Sequence, residues 1–476
     1  MKKIDEWPSD LYRLLDSVLG EESHLYEEST SVPPPTSFRF SNLKHSRAFQ
    51  EEILSLEDFK HKNSPLPNAQ QVASQPRSIG KSLSHFLGHI YIQDLASMLP
   101  PLVLDPRPGE YILDLCAAPG SKTTQLAEIM GNRGAIIAND VATRRLKGLV
   151  FNLRRMGVTI AAVTKLFGQQ IGNLYFERFD RVLIDAPCSA LGTIGKSPEV
   201  TSWWTPARSQ RLAANQRQLI QSGLKALRPG GVLVYSTCTI VPEENEQVIE
   251  YALQNFPVVL EKITLPGFRL RPGLTKSGTD SHCMTLKDTV RLYPFENPCE
   301  GFFIARLRKT GSFGTPRYRH PVTQLRAHCE PNDADVAELL TEIADRFRIP
   351  REVFEPGVVW REAGLAWSSQ ELAELPFFEI PVIAGLPIAH TRGHYAKLTT
   401  EGSHLFGSFA NNNVVDLPSK EELQAYLNRE SIDTELGTAR QILISFKNSV
   451  VGHAMVDNGQ ILSRIPRVAW KFSLTA

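Results

Sequence analysis

Residues 114–122, with the sequence Asp-Leu-Cys-Ala-Ala-Pro-Gly-Ser-Lys, constrain the fold of this chain more than any other stretch. Residues 111–116 read as a short buried strand, and Ser121 opens a helical pattern that runs through Leu126 and Ile129. The turn between them carries almost no side chain, so its backbone amides can approach a ligand closely. The helix that follows presents free N–H groups and the positive end of its dipole. The stretch therefore predicts a nucleotide-type cofactor site in an open α/β sheet, although an isolated turn of this kind could also be an ordinary βα connection.

The next predicted strand, residues 134–138, adds a second element to this site. It is followed by Asn139 and Asp140, and an acid roughly 20 residues after the loop suits the two hydroxyls of a ribose. The loop lacks both the G-x-G-x-x-G of dinucleotide binders and the G-K-[ST] of a P-loop. A Rossmann oxidoreductase is therefore disfavoured.

Two further predicted strands end in reactive side chains. Residues 179–184 lead into Asp185 and Cys188, and residues 231–235 lead into Cys238. Because ligands in such sheets bind at the carboxyl ends of the strands, we expect these three side chains to lie beside the cofactor. For a cysteine taken alone, a buried small apolar role is commoner than chemistry, so the pair matters more than either residue.

Length and composition limit the number of domains and the class of protein that this chain can form. A chain of 476 residues is too long for one domain, and two to four are expected. The net charge of +1 neither supports nor excludes a nucleic-acid partner, since local patches decide that. Six cysteines without a C-x-x-C pair predict neither a disulfide framework nor a structural zinc. The sequence has no apolar run long enough to span a membrane and no signal-peptide pattern at its start. Because the cysteines form no disulfide framework, we expect a reducing cytoplasm, where two neighbouring thiols can remain free.

The motifs, in this order and spacing, resemble the Nop/Sun family of RNA 5-methylcytosine methyltransferases. The matching stretches are DLCAAPGSK at 114–122, DAPCS at 185–189, STCT at 236–239, KSPE at 196–199 with Trp203 and Trp204 after it, and GHIYIQDLAS at 88–97. The resemblance covers most of residues 40–310. It implies a Rossmann-like class I methyltransferase domain that transfers a methyl group from S-adenosylmethionine to carbon 5 of a cytosine in RNA.

The resemblance also implies catalytic roles. Carbon 5 of cytosine is a poor nucleophile, so a thiolate must first add to carbon 6 and convert the ring into an enamine. The family pattern makes Cys238 this nucleophile, Cys188 the group that helps break down the covalent adduct, and Asp185 the acid that holds ring nitrogen 3. A free thiol has a pKa near 8.5, so the site must activate Cys238.

The implied cofactor contacts form one set around the first two strand ends. They are Cys116, Ala117, Ala118, Pro119, Gly120, Ser121, Lys122, Asp140, Arg145 and Asp185. Arg145 is as readily explained as a solvated cation on a helix surface. The chain departs from the family at the end of the third strand, where an acid usually contacts the adenine. Residues 163–168 read Val-Thr-Lys-Leu-Phe-Gly, so we expect Phe167 or a neighbour to stack on the adenine instead.

Four regions follow from the same reading. Residues 1–85 are predicted to be a small α+β RNA-contacting domain with a Pro-rich linker, and residues 86–310 the methyltransferase domain. Residues 311–412 form a linking α/β region. Residues 413–476 resemble a PUA-type β-barrel that binds RNA, and a domain that only caps its neighbour is the alternative.

Several elements can be predicted inside these regions. The patterns indicate a helix over 11–19, a Pro-rich arm over 29–37, a loop over 62–78, a helix over 206–227, a closing hairpin of 290–295 with 301–307, a helix over 335–347, apolar strands over 376–387, and strands with tight turns over 442–467.

RNA is the expected partner, with a monomer as the expected state. One basic cluster lies on the helix after Asp140, and a second lies near the end of the methyltransferase domain; their members are Arg144, Arg145, Lys147, Arg154 and Arg155, and Arg306, Arg308, Lys309, Arg317 and Arg319. For each cluster taken alone, a solvated face is the commoner explanation. The domain layout resembles bacterial family members that act on small-subunit ribosomal RNA. Transfer RNA is the alternative substrate, and a non-catalytic RNA-binding assembly factor is the alternative from another class.

Overall fold

The computed structural model describes residues 7–275, 284–315, 328–329, 333–361, 364–437 and 439–474. Arg317 and Arg319 of the second basic cluster lie outside the described residues. The described residues form four sheets with helices packed against them, and the predicted α/β class is confirmed.

The first part of the chain contributes four α-helices and a four-stranded antiparallel sheet. Its elements are α1 Ser9–Leu19, α2 Ser23–Thr30, β1 Ser37–Phe40, α3 Arg47–Ser55, β2 Lys60–Asn63, β3 Ala69–Ser74, α4 Leu83–Phe86 and β4 Ile90–Ile92. The strand order is β2-β3-β1-β4. The predicted helix over 11–19 is confirmed, and it buries Leu11 and Leu15.

The loop predicted over residues 62–78 is wrong, because this stretch contains the whole of β3. The strand lies between β1 and β2, and its polar side chains Gln70 and Gln71 are buried. Gln70 Oε1 lies 3.1 Å from His61 Nδ1 on the neighbouring strand. A polar sequence can form an inner strand when its side chains find such partners. A polar composition therefore does not distinguish an inner strand from a loop.

Strands and helices alternate over residues 99–309. The elements are α5 Leu99–Leu104, β5 Tyr111–Asp114, α6 Ser121–Met130, β6 Ala135–Asn139, α7 Thr143–Met156, β7 Ala161–Thr164, α8 Gly168–Leu174, β8 Phe179–Asp185, α9 Val200–Trp203, α10 Pro206–Ala226, β9 Leu227–Thr237, α11 Glu246–Asn255, β10 Val258–Glu261, β11 Arg271–Pro272, β12 Val290–Leu292 and β13 Phe302–Lys309.

These strands form a mixed sheet whose central strands are parallel. The order is β11-β12-β13-β9-β8-β5-β6-β7, and β5 to β9 pair in parallel. The predicted closing hairpin is confirmed, since β12 and β13 pair antiparallel. The helix predicted over 206–227 ends at Ala226, and β9 already begins at Leu227 rather than Gly231. Residues 228–231 make no ladder pair, because the pairing with β8 passes from Leu227 directly to Val232 through a shift of register.

Apolar side chains fill both faces of this sheet, as buried parallel strands require. α5, α6 and α7 pack on one face, where they bury Leu126, Leu149 and Leu153. α8, α10 and α11 pack on the other face with Ile220 and Ile249. The carboxyl ends of β5, β6, β8 and β9 are thereby held at one edge of a rigid layer.

The remainder of the chain forms two five-stranded sheets. Its elements are β14 His328–Cys329, α12 Ala334–Phe347, β15 Val358–Arg361, β16 Gly364–Ser368, α13 Gln370–Glu374, β17 Ile383–Ala384, β18 Leu386–Arg392, β19 Tyr395–Leu398, α14 Thr400–Phe406, β20 Val414–Leu417, α15 Lys420–Leu427, β21 Ile432–Asp433, β22 Ala439–Phe446, β23 Ser449–Asp457 and β24 Gln460–Ser463. The orders are β14-β15-β16-β18-β19 and β20-β22-β23-β24-β21.

The strand prediction over residues 376–387 is only partly right. β17 and the start of β18 are strands, but residues 376–382 are not, and Phe377 packs into the methyltransferase core instead. β17 pairs antiparallel with β7, so the linking region adds a strand to the catalytic sheet. The predicted strands over 442–467 are confirmed as β22 to β24, while the PUA-type interpretation stays a prediction.

A buried ion pair joins the closing strand β12 to the start of α11. Arg291 on β12 is 1% exposed and donates to both carboxylate oxygens of Glu246, with the Nε–Oε1 distance at 2.6 Å. Its Nη1 donates to the carbonyl of Ile240 at 2.9 Å. Removing one partner of such a pair leaves an uncompensated buried charge.

We therefore expect Arg291→Met to lower the free energy of unfolding by about 3–5 kcal/mol. Arg13→Met is the matched control, because the Arg13–Asp10 pair is exposed and should contribute less than about 1 kcal/mol. Urea unfolding of the three proteins measures both changes. An Arg291→Met protein as stable as the control would contradict this account of the ion pair.

Candidate active site

The loop between β5 and α6 has the backbone that its sequence predicts. Gly120 has a φ of +101°, and a Cβ at this position would lie 3.0 Å from Leu149 on α7. Its N–H donates to the carbonyl of Ala117 at 2.7 Å, which closes the turn. The residue must therefore be glycine for the turn to pack under α7.

Two carboxylates beside this turn leave buried oxygen atoms without a hydrogen-bond donor in the described part of the chain. Asp114 accepts from the Thr123 hydroxyl at 2.7 Å through Oδ2, while its Oδ1 has no partner. Asp140 accepts from the N–H of Ala142 through Oδ1, and its Oδ2 lies 3.0 Å from Arg145 without a hydrogen bond. Burial raises the pKa of Asp114 to about 7. Unsatisfied buried acceptors of this kind suit a ligand that brings amino and hydroxyl donors.

Arg145 connects the two strand ends rather than facing solvent alone. It forms an ion pair with Asp140 and donates to the carbonyl of Ala118 in the loop. The structure thus brings the loop, Asp140 and Arg145 together. Cys116 lies in the same place, and burial raises the pKa of its thiol well above the ordinary value. It is therefore a neutral wall of the site at neutral pH.

Asp185 is held by two donors at the end of β8. Lys122 Nζ donates to Asp185 Oδ2 at 2.7 Å, and the Ser236 hydroxyl donates to Oδ1 at 2.9 Å. Lys122 also donates to the hydroxyl of Ser97 at 2.9 Å. The ammonium group of Lys122 thus contacts both Asp185 and Ser97, and its predicted contact with the cofactor stays a prediction. Ser97 is the last residue of the family-matching stretch 88–97, so this stretch contacts the site through Lys122.

The two cysteines face each other across the ends of β8 and β9. Cys188 Sγ and Cys238 Sγ are 3.4 Å apart, and both thiols are free. The N–H of Gly192 donates to the Cys238 carbonyl at 2.8 Å, and the hydroxyls of Ser189 and Thr239 are 2.7 Å apart. The hydrogen bond with Cys188, followed by burial, raises the pKa of the Cys238 thiol well above its ordinary value. The site therefore holds Cys238 as a thiol in the absence of substrate.

The N-terminal helices pack on these same loops, which the sequence did not indicate. α1 and α2 share a core with Leu191, Ile194 and Trp204. The Tyr26 hydroxyl is fully buried and donates to the carbonyl of Leu191 at 2.8 Å. The first helices therefore fix the loop that carries Cys188. A tyrosine in a polar amphipathic segment offers no sequence signal for such a distant partner.

A second pair of acids lies behind the cysteines. Asp94 accepts from the N–H groups of Ala96 and Glu300, and Glu300 lies 3.8 Å from Lys196. Burial, followed by the charge of Asp94, raises the pKa of Glu300 to about 7. These contacts connect two motifs, residues 88–97 and 196–199, to the strand β13 that closes the site.

The third strand end carries an acid supplied from elsewhere in the chain. Phe167 is 61% exposed, as a residue available for stacking must be. The N–H of Lys165 donates at 2.6 Å to Glu379, which lies in the linking region just before β17. A carboxylate therefore stands at this strand end although the sequence of the strand lacks one.

Most of the predicted basic clusters are committed to partners within the protein. Arg154 pairs with Glu401, and buried Arg155 donates to the carbonyls of His85 and Ile90. Arg306 and Arg308 both pair with Glu261, and buried Lys309 pairs with Glu177. Arg144 and Lys147 form no ion pair with any residue that the structure describes.

Metal and membrane sites are not found in the described residues. This part of the chain holds no group of three or more His, Cys, Asp or Glu side chains that could bind a metal ion. None of the helices it contains has the length and apolarity that a bilayer span requires.

Comparison with known proteins agrees with this geometry. Residues 101–308 match the family model described as 16S rRNA methyltransferase RsmB/F. The chain is 39% identical to the tRNA (cytosine(49)-C(5))-methyltransferase of Pyrococcus abyssi, over 65% of this chain and 97% of that protein. It is 33% identical to the ribosomal RNA small subunit methyltransferase F of Escherichia coli O81, over 82% of this chain and 80% of that protein.

Solved structures agree as well. A methyltransferase homologue from Pyrococcus horikoshii superposes with a TM-score of 0.56 at 38% identity, over 62% of this chain and 93% of that chain. NSun6 from the same organism, solved with SFG, superposes with a TM-score of 0.56 at 25% identity, over 64% of this chain and 99% of that chain.

The sheet order, the loop after β5 and the paired thiols define a Rossmann-like class I methyltransferase that acts on RNA. The chain belongs to the RsmB/F family, the Sun family of RNA cytosine-5 methyltransferases.

Proposed function

We propose that this chain methylates carbon 5 of a specific cytosine in small-subunit ribosomal RNA, with S-adenosylmethionine as the methyl donor and a covalent Cys238–cytosine intermediate. The observation that carries the proposal is the pair of free thiols 3.4 Å apart beside the Asp185–Lys122 ion pair. The match over 82% of the chain to a ribosomal RNA small subunit methyltransferase F supports the choice of substrate.

The cofactor would be held by the loop and by the first two strand ends. The residues proposed are Cys116, Ala117, Ala118, Pro119, Gly120, Ser121, Asp140 and Arg145, with Lys122 and Asp185 at the edge that faces the target base. S-adenosylmethionine supplies an activated methyl group when it is bound. Its amino group and ribose hydroxyls match the oxygens of Asp114 and Asp140 that accept no hydrogen bond. The NSun6 structure with SFG, an analogue of this cofactor, supports the assignment.

Each polar residue then has one task on the target base. Cys238 loses its thiol proton to solvent and adds to carbon 6 as a thiolate, which makes carbon 5 nucleophilic. Asp185 holds ring nitrogen 3, and Lys122 keeps the carboxyl group of Asp185 oriented. Once the proton on carbon 5 has left, Cys188 assists the release of Cys238, which its 3.4 Å separation from Cys238 permits. The target base must leave its stack to reach this site, so unpaired RNA is favoured.

The other regions take supporting roles in this proposal. Residues 1–85 contact RNA and brace the catalytic loops, residues 311–412 complete the sheet edge at the adenine, and residues 413–476 bind RNA away from the chemistry as a PUA-type domain would. Phe167 stacks on the adenine beside Glu379. The setting is the cytoplasm, and the enzyme works as a monomer without a metal.

Transfer RNA is the second candidate substrate, because the relative with 39% identity is a transfer RNA methyltransferase. Bisulfite sequencing of ribosomal and transfer RNA from cells with and without the gene separates the two. We expect one cytosine of small-subunit ribosomal RNA to lose protection when the gene is absent. Loss of protection confined to transfer RNA would make transfer RNA the substrate. No loss of protection in either RNA would contradict the proposed function.

A further inference from the structure

The outer face of α7 borders a large groove that the proposed chemistry does not use. The groove has a volume of about 690 Å³. Val150 and Phe151 of α7 form one wall, Val382 of the linking region forms another, and Phe86 and Pro466 bring in the first and last parts of the chain. All four regions therefore meet at this groove, which we call the junction groove.

The walls of the junction groove carry apolar side chains that are open to solvent. Phe151 is 59% exposed and Val382 is 52% exposed, so two large apolar side chains remain accessible at its mouth. An exposed aromatic ring in a concave surface is a stacking platform for a planar ligand. Isolated apolar residues on a convex surface would need no such explanation.

The rim of the groove is positively charged. Lys147 and Lys165 form no ion pair with any residue in the described ranges. The one acid among the lining residues, Glu401, is already paired with Arg154 at 2.8 Å, and Glu379, which accepts from the backbone N–H of Lys165, lies outside the lining. Lys44 lies at the base, where burial lowers its pKa to about 7, so we do not count its charge. The remaining charge of the rim complements an anionic ligand, and two lysines beside a stacking ring match the phosphates and base of a nucleotide.

The position of the groove separates it from the target base. α7 begins at Thr143, immediately after the Asp140 strand end, whereas the cysteines follow β8 and β9. β6 and β8 are separated by β5, so the two places are at least about 10 Å apart across the sheet. A nucleotide in the groove would therefore flank the target along the strand.

We propose that the junction groove binds an unstacked nucleotide of the substrate RNA strand, with its base against Phe151 and its phosphates at Lys147 and Lys165. This inference rests on the proposed function for the identity of the RNA. A protein segment is disfavoured as the occupant, because an apolar segment would leave the two lysines without anionic partners while covering them.

The test compares groove variants with matched surface variants in binding to a short fluorescein-labelled single-stranded RNA. Phe151→Ala should weaken binding about 5- to 150-fold, the range for loss of one base–aromatic stack. The Lys147→Ala/Lys165→Ala double variant should reduce the slope of log affinity against log salt by about 1.4, since each phosphate contact on a single strand contributes about 0.7. Phe409→Ala and Lys262→Ala, which remove an exposed ring and an exposed lysine elsewhere, should leave both quantities unchanged.

Two readouts keep this inference separate from the proposed function. If the wild-type protein binds the RNA and the groove variants bind it less, but no cytosine is methylated, the proposed function fails and the groove stands. If the wild-type protein methylates RNA and the groove variants keep its affinity and salt slope, the groove proposal is overturned. Equal losses of RNA affinity in the groove variants and in the matched controls would overturn the groove proposal as well.

Discussion

Replacing Cys238 with alanine is expected to abolish methyl transfer to RNA while leaving the affinity for S-adenosylmethionine nearly unchanged. Without a nucleophile, carbon 5 of cytosine cannot be activated, and loss of a catalytic nucleophile lowers kcat by a factor on the order of 10⁴ or more. Cofactor binding should survive because Cys238 follows β9, whereas the proposed cofactor contacts follow β5 and β6.

Transfer of a labelled methyl group and calorimetric titration with the cofactor measure the two effects. Cys299→Ala is the matched control, since Cys299 is a free, buried cysteine outside the strand ends that hold the pair. We expect the control to keep its activity. A Cys238→Ala protein that methylates RNA at a near-normal rate would contradict the role of this residue.

Replacing Cys188 with alanine is expected to have the opposite signature, a covalent protein–RNA complex that accumulates. Cys238 can still attack the base, but the group 3.4 Å from its sulfur that assists release is missing. Because release becomes slow while attack continues, the adduct builds up and turnover falls. The loops should keep their places, since they are also held by the Gly192–Cys238 and Ser189–Thr239 hydrogen bonds.

A denaturing gel of Cys188→Ala with substrate RNA should therefore show a band of reduced mobility. The Cys188→Ala/Cys238→Ala double variant is the control and should show no such band. Normal turnover by Cys188→Ala without a shifted band would disprove the division of labour between the two thiols.

The local motifs made the strand ends predictable from the sequence. The turn at Gly120, the acid Asp140 and the two cysteine-bearing ends all follow from short patterns of strand, small residue and helix. The order of parallel strands then brings their carboxyl ends to one edge, so the meeting of Cys188 and Cys238 could be expected from the sequence alone.

The remaining features depend on contacts between residues far apart in the chain. Lys122 and Asp185 are 63 residues apart, Tyr26 and Leu191 are 165 apart, and Lys165 and Glu379 are 214 apart. No local periodicity reports such partners. Glu379 shows the consequence most clearly, because the third strand lacks an acid in sequence and acquires one only when the linking region folds against β7.

A polar strand is the second kind of feature that the sequence did not predict. β3 is an inner strand whose glutamines are buried, and its composition indicated a loop. The pairing of β3 with a strand on each side overrides its local propensity.

The central claim, covalent catalysis by Cys238, is tested most directly by locating the attachment site. The Cys188→Ala protein is incubated with substrate RNA and S-adenosylmethionine, the complex is digested with protease and nuclease, and the modified peptide is sequenced by mass spectrometry. We predict that the cytosine nucleotide is attached to Cys238. A nucleotide attached to Cys116 or Cys299 instead, with Cys238 unmodified, would contradict the account.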